Sequence, residues 1–358
     1  MALEKILNVR LEDQQWIQAT LPLNLGGIDI RRFTDVAFPC FISSANSATS
    51  LLSVLVPQNI ETHDIICSGA FTRFLDMVGF QDEMDQLMLT NQGKLDTIVA
   101  SSTYTVLART ENKSEKARLL AVAHKESSRW MQAIPSANLG TKLENSDVRI
   151  GVSLRLGAPI GIPHKCRCGT EVDTNGRHGL SCRKSAGRHL RHTRINVVFS
   201  SALTSAGIPN RREVAGLSGV DNKRPDGKTL VPFSRGRPLV WHASVTHVFA
   251  SSNVHTACLH AGAAADAAEV GKINKYKELA STNIFMPLAF DTFGVPGSDT
   301  TEIIKDVGRR LQKATGEPRV SEYLMQRLSI EIVRGNAVSV LGSFDDASPH
   351  LKEIDYLF

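Results

Sequence analysis

A chain of 358 residues that is 42% hydrophobic and 22% charged has an ordinary globular composition, with room for one large core or two to three smaller ones. Its 41 basic and 36 acidic side chains leave a formal charge of +5, which permits a nucleic-acid partner without demanding one. Six cysteines, three of them crowded between Cys166 and Cys182 and the others scattered at Cys40, Cys67 and Cys258, do not form the framework of a small disulfide-stapled secreted domain.

The start, MALEKILNVRLEDQQW, carries charges where a signal peptide needs an apolar core. The most lipid-like stretch, Ala37 to Pro57, is broken by Pro39, Asn46 and several hydroxyl residues and reads as a buried helical region. The expectation is an intracellular protein, nuclear or cytoplasmic, with reduced thiols and no membrane partner.

Residues 1–135 read as mostly helical, with apolar residues at three- and four-residue spacing in 70–89 and 114–134. One turn-rich signature, LPLNLGGIDIRR (21–32), interrupts them at Gly26-Gly27, and no catalytic constellation is visible there. Residues 136–165, with several glycines and Pro159 and Pro163, have the composition of a linker. A cysteine/histidine cluster occupies 166–185, followed by a basic helix over 186–206 that Gly207 and Pro209 close. TLVPF (229–233) and RPLVWHASV (237–245) form a hairpin around Ser234-Arg235-Gly236. An alanine-rich helix at 257–280, a strand at 283–294 and helices at 298–314 and 319–337 complete an α/β domain over 186–342, ahead of a tail at 343–358.

The cluster has the spacing Cys166-x-Cys168-x9-His178-x3-Cys182. Three thiolates and an imidazole are the donor set that Zn²⁺ takes in a closed, tetrahedral, structural site. His178 and Cys182 stand one helical turn apart, and Gly169 and Gly176 allow the chain to reverse around an ion. His164, His189 and His192 could each substitute as the fourth ligand. The plainer alternative is three unpaired cysteines beside an incidental histidine.

Arg183, Lys184, Arg188, Arg191 and Arg194 follow with no acid among them, and Arg224 lies in a further basic segment. Cations gathered beside a zinc cluster suit a phosphate backbone, because they displace its condensed counterions.

The segment KRPDGKTLVPFSRGRPLVWHASV (223–245) carries the remaining chemistry. Metal-assisted phosphodiester hydrolysis calls for a carboxylate on one strand and a second on its neighbour, binding Mg²⁺ through hard oxygens. Asp226 supplies the first, and the second position, after Leu239-Val240-Trp241, holds His242. Pro225-Asp226-Gly227 also reads as an ordinary β-turn signal.

The zinc cluster, Arg224-Pro225-Asp226, Leu239-Val240-Trp241 and Lys272/Lys275-Tyr276, in that order, resemble the zinc knuckle and restriction-like PD-(D/E)xK endonuclease of non-LTR retrotransposons. LPLNLGGIDIR (21–31) is similar to the segment after the polymerase palm of such elements, and QRLSIEIVRGNAVSVLG (326–342) to the end of their reading frames. The resemblance implies a thumb-like helical remnant at 1–135 and a PD-(D/E)xK α/β domain. It further implies a Mg²⁺- or Mn²⁺-dependent nuclease that nicks DNA to prime reverse transcription, with the element's RNA as a further partner. Asp226 would bind the catalytic metal, Lys275 or its rival Lys272 would orient water, and Glu213 would be an accessory acid. His242, in place of the second acid, implies impaired cleavage, for which Glu269 on the alanine-rich helix is the acid that could compensate. The alternative is a nucleic-acid-binding zinc module without catalysis. The Phe344-Asp345-Asp346 triplet has no polymerase palm around it and reads as coincidence.

Overall fold

The computed structural model describes residues 2–55, 62–79, 91–213 and 224–344. The chain divides into two compact units, Asp13–Thr110 and the larger Met1–Glu12 with Glu111–Phe358. Helix α1 (Ala2–Leu7) belongs to the larger unit, where the carbonyl of Leu7 accepts a 2.8 Å hydrogen bond from the Arg149 guanidinium.

The smaller unit consists of α2 (Asp13–Thr20), α3 (Phe33–Leu55), α4 (Thr62–Val78) and α5 (Gln92–Ala108), joined around Ile42, Phe71, Phe74, Leu95 and Val99. Its glycine pair makes a tight turn: Gly26 has φ 84°, and a Cβ on Gly27 would fall 1.8 Å from the Leu21 carbonyl oxygen. The apolar stretch from Ala37 is only partly buried, because Ile42 faces the core while Leu51, Val54 and Leu55 are exposed. No helix among the described residues is long and apolar enough to cross a membrane.

In the larger unit α6 (Lys113–Ala123) is capped by the Asn112 side chain, which accepts from the N–H groups of Ser114 and Glu115. It is followed by α7 (Arg129–Gln132) and α8 (Asn145–Leu156). Helix α8 lies inside the segment read as a linker, which is therefore not one. A capping box of Glu144 and Asp147 starts it, Gly157 at φ 68° ends it, and Ile150, Val152, Leu154 and Leu156 are buried. Of the glycines that suggested a connector, Gly157 ends the helix and Gly151 lies inside it, against Val333 and Trp130.

Two short strands, β1 (His164–Lys165) and β2 (Glu171–Val172), pair antiparallel within the cysteine cluster. The basic helix forms as expected, as α9 (Ala186–Ser205), and a four-stranded sheet follows. Strands β3 (Asn210–Arg212), β4 (Gly227–Thr229) and β5 (Leu239–Thr246) are antiparallel neighbours in that order. β6 (Ile284–Asp291) then runs parallel to β5, with Leu239 opposite Ile284 and Thr246 opposite Asp291. Parallel strands need a crossover, supplied here by α10 (Val254–Ala257) and α11 (Ala263–Lys275), so the expected single helix at 257–280 is broken. Helices α12 (Ser298–Thr315) and α13 (Val320–Leu341) complete the unit. The chain is thus a mixed α/β protein, largely helical, with small sheets.

Leu239, Trp241 and Ala243 of β5 join Phe199 and Leu203 of α9, Leu288 and Phe290 of β6, Ile303 and Val307 of α12 and Leu328 and Ile332 of α13 in the main core. Val240 packs with Tyr276 and Leu279 in a separate cluster. Strand β5 is thus fully buried over Leu239–Trp241 and at Ala243, and partly open at His242 and from Ser244 onward.

The hairpin differs from expectation. Pairing begins upstream at Gly227, against which the Trp241 indole lies so closely that a Cβ would come within 2.0 Å of it. Gly227 therefore belongs to a strand and is not a turn residue. Beyond Thr229 the ladder stops: the Thr229 hydroxyl itself accepts from the Leu239 N–H (2.9 Å), Pro232 has no N–H to offer, and Leu230 is exposed. Arg235 and Gly236, at φ 49° and 73°, make the expected reversal.

Helix α13, which takes in residues 326–341, is a core element that packs on α8, α9 and α12. Its approach to α9 depends on small residues. A Cβ on Gly187 would lie 2.1 Å from the Ser339 hydroxyl, and one on Gly335 would lie 1.8 Å from Cγ of Arg191. Replacing either glycine by alanine is expected to cost about 2 kcal/mol or more in chemical denaturation, because overpacking a closed seam forces backbone movement. A loss under about 0.5 kcal/mol would show that the helices can separate cheaply.

Candidate metal centres

The cysteine cluster is built from a hairpin and a turn of 3₁₀ helix. β1 leads into Cys166 and Cys168, Gly169 (φ 94°) reverses the chain, and the Cys166 N–H donates to the Thr170 carbonyl at 2.9 Å. Gly176 (φ 63°) starts the short helix Arg177–Leu180, and the Cys182 N–H donates to the His178 carbonyl at 3.0 Å, one turn apart as the spacing required. Sγ of Cys166 and of Cys182 are 3.7 Å apart, and Sγ of Cys168 is 3.2 Å from Nε2 of His178. All four donor atoms lie within 4.8 Å of one another. Burial pushes the Cys166 thiol up to about 11, whereas the hydroxyl and N–H of Thr170 bring Cys168 down to about 6. Three sulfurs and one imidazole nitrogen so placed could hold a metal ion such as zinc.

None of the alternative histidines joins the cluster. His164 is hydrogen-bonded through Nδ1 to the Ile162 carbonyl (2.9 Å) and through Nε2 to Ser343 (3.0 Å), and it stacks on Phe344. His189 is exposed and outside the donor group, and His192 belongs to a second one. Phe344 is buried, and Asp345 and Asp346 lie outside the described residues.

The second group is His192, Asp226 and His242. Asp226 stands one residue before β4, its N–H donating to the Trp241 carbonyl at 3.0 Å, so that it faces His242 across the strand pair. Its Oδ1 is 3.3 Å from His242 Nδ1. Its Oδ2 accepts from the Ala243 N–H (2.7 Å) and from the Asn196 side chain (3.1 Å), and lies 2.8 Å from His192 Nε2. Asn196 is oriented in turn by the Trp241 indole N–H at 2.9 Å. Burial alone would raise the Asp226 carboxyl, but the bond from His192, the charges of both histidines and the Ala243 N–H outweigh it and hold it below the usual range. Burial lowers His242 to about 4, assisted by Lys272, His192 and Lys275 against the pull of Asp226.

Of the two lysines, Lys272 is half-buried, and its ammonium is lowered by burial and by Lys275 while Asp226 pulls it back. Lys275 is exposed, with Nζ 5.2 Å from the Tyr276 ring centre. Lys272 is thus the half-buried one of the pair, with an ammonium that senses the Asp226 carboxylate. Tyr276 donates to the Arg224 carbonyl (3.1 Å), with its hydroxyl 3.4 Å from His242 Nδ1.

Neither accessory acid joins the group. Glu213, at φ 56°, is exposed and pairs with Arg224 at 3.2 Å. Glu269 is buried beneath the start of α12, accepting from the N–H groups of Asp299 (3.0 Å) and Thr300 (2.8 Å) and from the Thr300 hydroxyl. It caps a helix. One carboxylate and two imidazoles do not make a magnesium site, because Mg²⁺ requires hard oxygen ligands.

The basic stretch also divides. Arg183, Lys184 and Arg188 are exposed, with Lys184 donating to the Arg167 carbonyl at 3.2 Å. Arg191 is not available to a phosphate: it is 2% exposed, with its guanidinium on the Leu180 carbonyl and the Asn336 side chain. Arg194 pairs with Glu331 at 3.0 Å and Arg224 with Glu213, and both pairs are partly open to solvent.

Cobalt added to the reduced chain should give the intense near-ultraviolet absorption of thiolate bound to Co²⁺, and Cys182→Ser should weaken or abolish it. A chain without that absorption has no metal site at the cysteines. No protein-family model matches the chain, and no curated protein matches it either.

Proposed function

We propose that the larger unit is the zinc-knuckle and PD-(D/E)xK-type endonuclease portion of a non-LTR retrotransposon protein, a DNA-binding domain whose Mg²⁺-dependent nicking is impaired by His242. The observation that carries this reading is that Asp226, one residue before β4, stands opposite His242 of the neighbouring β5 at 3.3 Å, with Lys272 on α11, the helix packed on β5. Such a strand pair is where a nuclease of this kind would place its two acids. The chain has one of them and an imidazole at the other position.

The closed donor set of Cys166, Cys168, His178 and Cys182 leaves no position for substrate, so a zinc ion there would be structural. It would stiffen the loop that leads into α9 and its exposed Arg183, Lys184 and Arg188. That juxtaposition favours duplex DNA as the partner and is also the observation behind a second reading, in which the domain binds nucleic acid without cutting it. The unit Asp13–Thr110 carries the LPLNLGGIDIR segment and is consistent with a thumb-like remnant of the polymerase.

Nicking of supercoiled plasmid in Mg²⁺ separates the two readings. His242→Asp is expected to raise the rate at least about tenfold over the natural sequence, since a restored metal contact is worth a few kcal/mol. Asp226→Ala should give none of that gain. Equal rates in His242→Asp and Asp226→Ala would remove the nuclease assignment.

A further inference from the structure

We propose that His192, Asp226 and His242 form a binding site for a divalent transition-metal ion of the zinc or manganese class, separate from the cysteine cluster and selective against magnesium. The inference goes beyond the nuclease reading, because it concerns which ion the chain binds and holds whether or not DNA is cut.

Three elements far apart in sequence converge to make the site. His192 comes from the second turn of α9, Asp226 from the approach to β4 and His242 from the middle of β5. Their donor atoms lie within 4.8 Å of one another, with the carboxylate oxygens 2.8 Å and 3.3 Å from the two ring nitrogens. Ligands held at roughly 2.0–2.2 Å from one ion are separated by about 3 Å, so the group needs little rearrangement to close around it.

The surroundings resemble those of a metal ligand more than those of a surface ion pair. The Asp226 carboxylate is held by the Ala243 N–H and by Asn196, and Asn196 is held by the Trp241 indole, so the central ligand is fixed before any ion arrives. Asp226 and His242 are mostly buried, at 12% and 14% side-chain exposure, while His192 is 40% exposed. The site therefore opens to solvent on the α9 side, where a bound ion would keep a position for water. Three protein ligands with one open position is the pattern of reactive centres, unlike the four-ligand cysteine site.

The choice of ion follows from the donors. Imidazole nitrogen prefers zinc, manganese and their neighbours, and a single carboxylate leaves magnesium with too few hard oxygens. The competing account is a hydrogen-bonded His–Asp–His cluster that never binds an ion, and it differs in metal content.

The test is metal content of the full chain, reduced, stripped of metal, reloaded with Zn²⁺ in the presence of millimolar Mg²⁺ and desalted. His192→Gln and Asp226→Asn should each bind about one zinc ion fewer per chain than the natural sequence. Both should keep the cobalt–thiolate absorption of the cysteine cluster, which serves as the check that they are folded. Unchanged zinc content in folded variants, or loss of the ion to millimolar Mg²⁺, would overturn the proposal. No DNA enters the measurement, so a failed nicking assay and a failed metal count remain separate results.

Discussion

Helix α9 can lie where it does only because Gly187 and Gly335 let it close on α13, with the Arg191 side chain threaded through the seam. Three things depend on that contact. Arg191 reaches the Leu180 carbonyl and so ties the cysteine cluster to the helix. The next residue, His192, is thereby turned toward Asp226, and Asn196 one turn later steadies the same carboxylate. Phe199 and Leu203 continue onto the sheet and enter the main core. One helix thus fixes the cysteine cluster at its start and the histidine–aspartate centre along its length, and Arg191 gives up any contact with nucleic acid to do so.

Buried acids in this unit divide by what satisfies them. Glu269 and Asp291 are both raised by burial, Asp291 to about 7, and each spends its oxygens on backbone N–H groups at a chain reversal or helix start. Asp226 differs from both, its carboxyl held below the usual range by imidazoles and an N–H. A carboxylate kept charged between two rings, with a lysine nearby and an opening to solvent, is poised for a cation in a way that the two structural acids are not.

Much of this was legible in the residues, and the remainder was hidden for identifiable reasons. The cysteine cluster could be read whole because all its donors fall between positions 166 and 182. Asp226 and His242 could be paired because Asp226 precedes one apolar run and His242 follows another, Leu239-Val240-Trp241. His192 stands close enough in sequence to the cysteines to pass for their ligand, yet His192, Asn196, Phe199 and Leu203 lie on one face of α9, which points the ring at the sheet. The same periodicity, Arg191 with Ile195, Val198 and Ala202, marks Arg191 as inward, but a run of cations suggested a solvated face. Helix α8 was missed because it buries Asp147, Arg149 and Arg155 alongside its apolar residues, so its inward face does not look hydrophobic. The first hairpin strand, expected at 229–233, lies instead at Gly227–Thr229, because β propensity says nothing of Thr229 occupying the Leu239 N–H with its side chain.

The central claim is that one fold holds two metal sites of different kinds, a closed one at the cysteines and an open one at Asp226. Anomalous diffraction at the zinc edge from crystals grown with Zn²⁺ tests it most directly. The account predicts one peak among Cys166, Cys168, His178 and Cys182 and another between His192, Asp226 and His242. Empty density at the second position, with the three side chains joined only by hydrogen bonds, would contradict it.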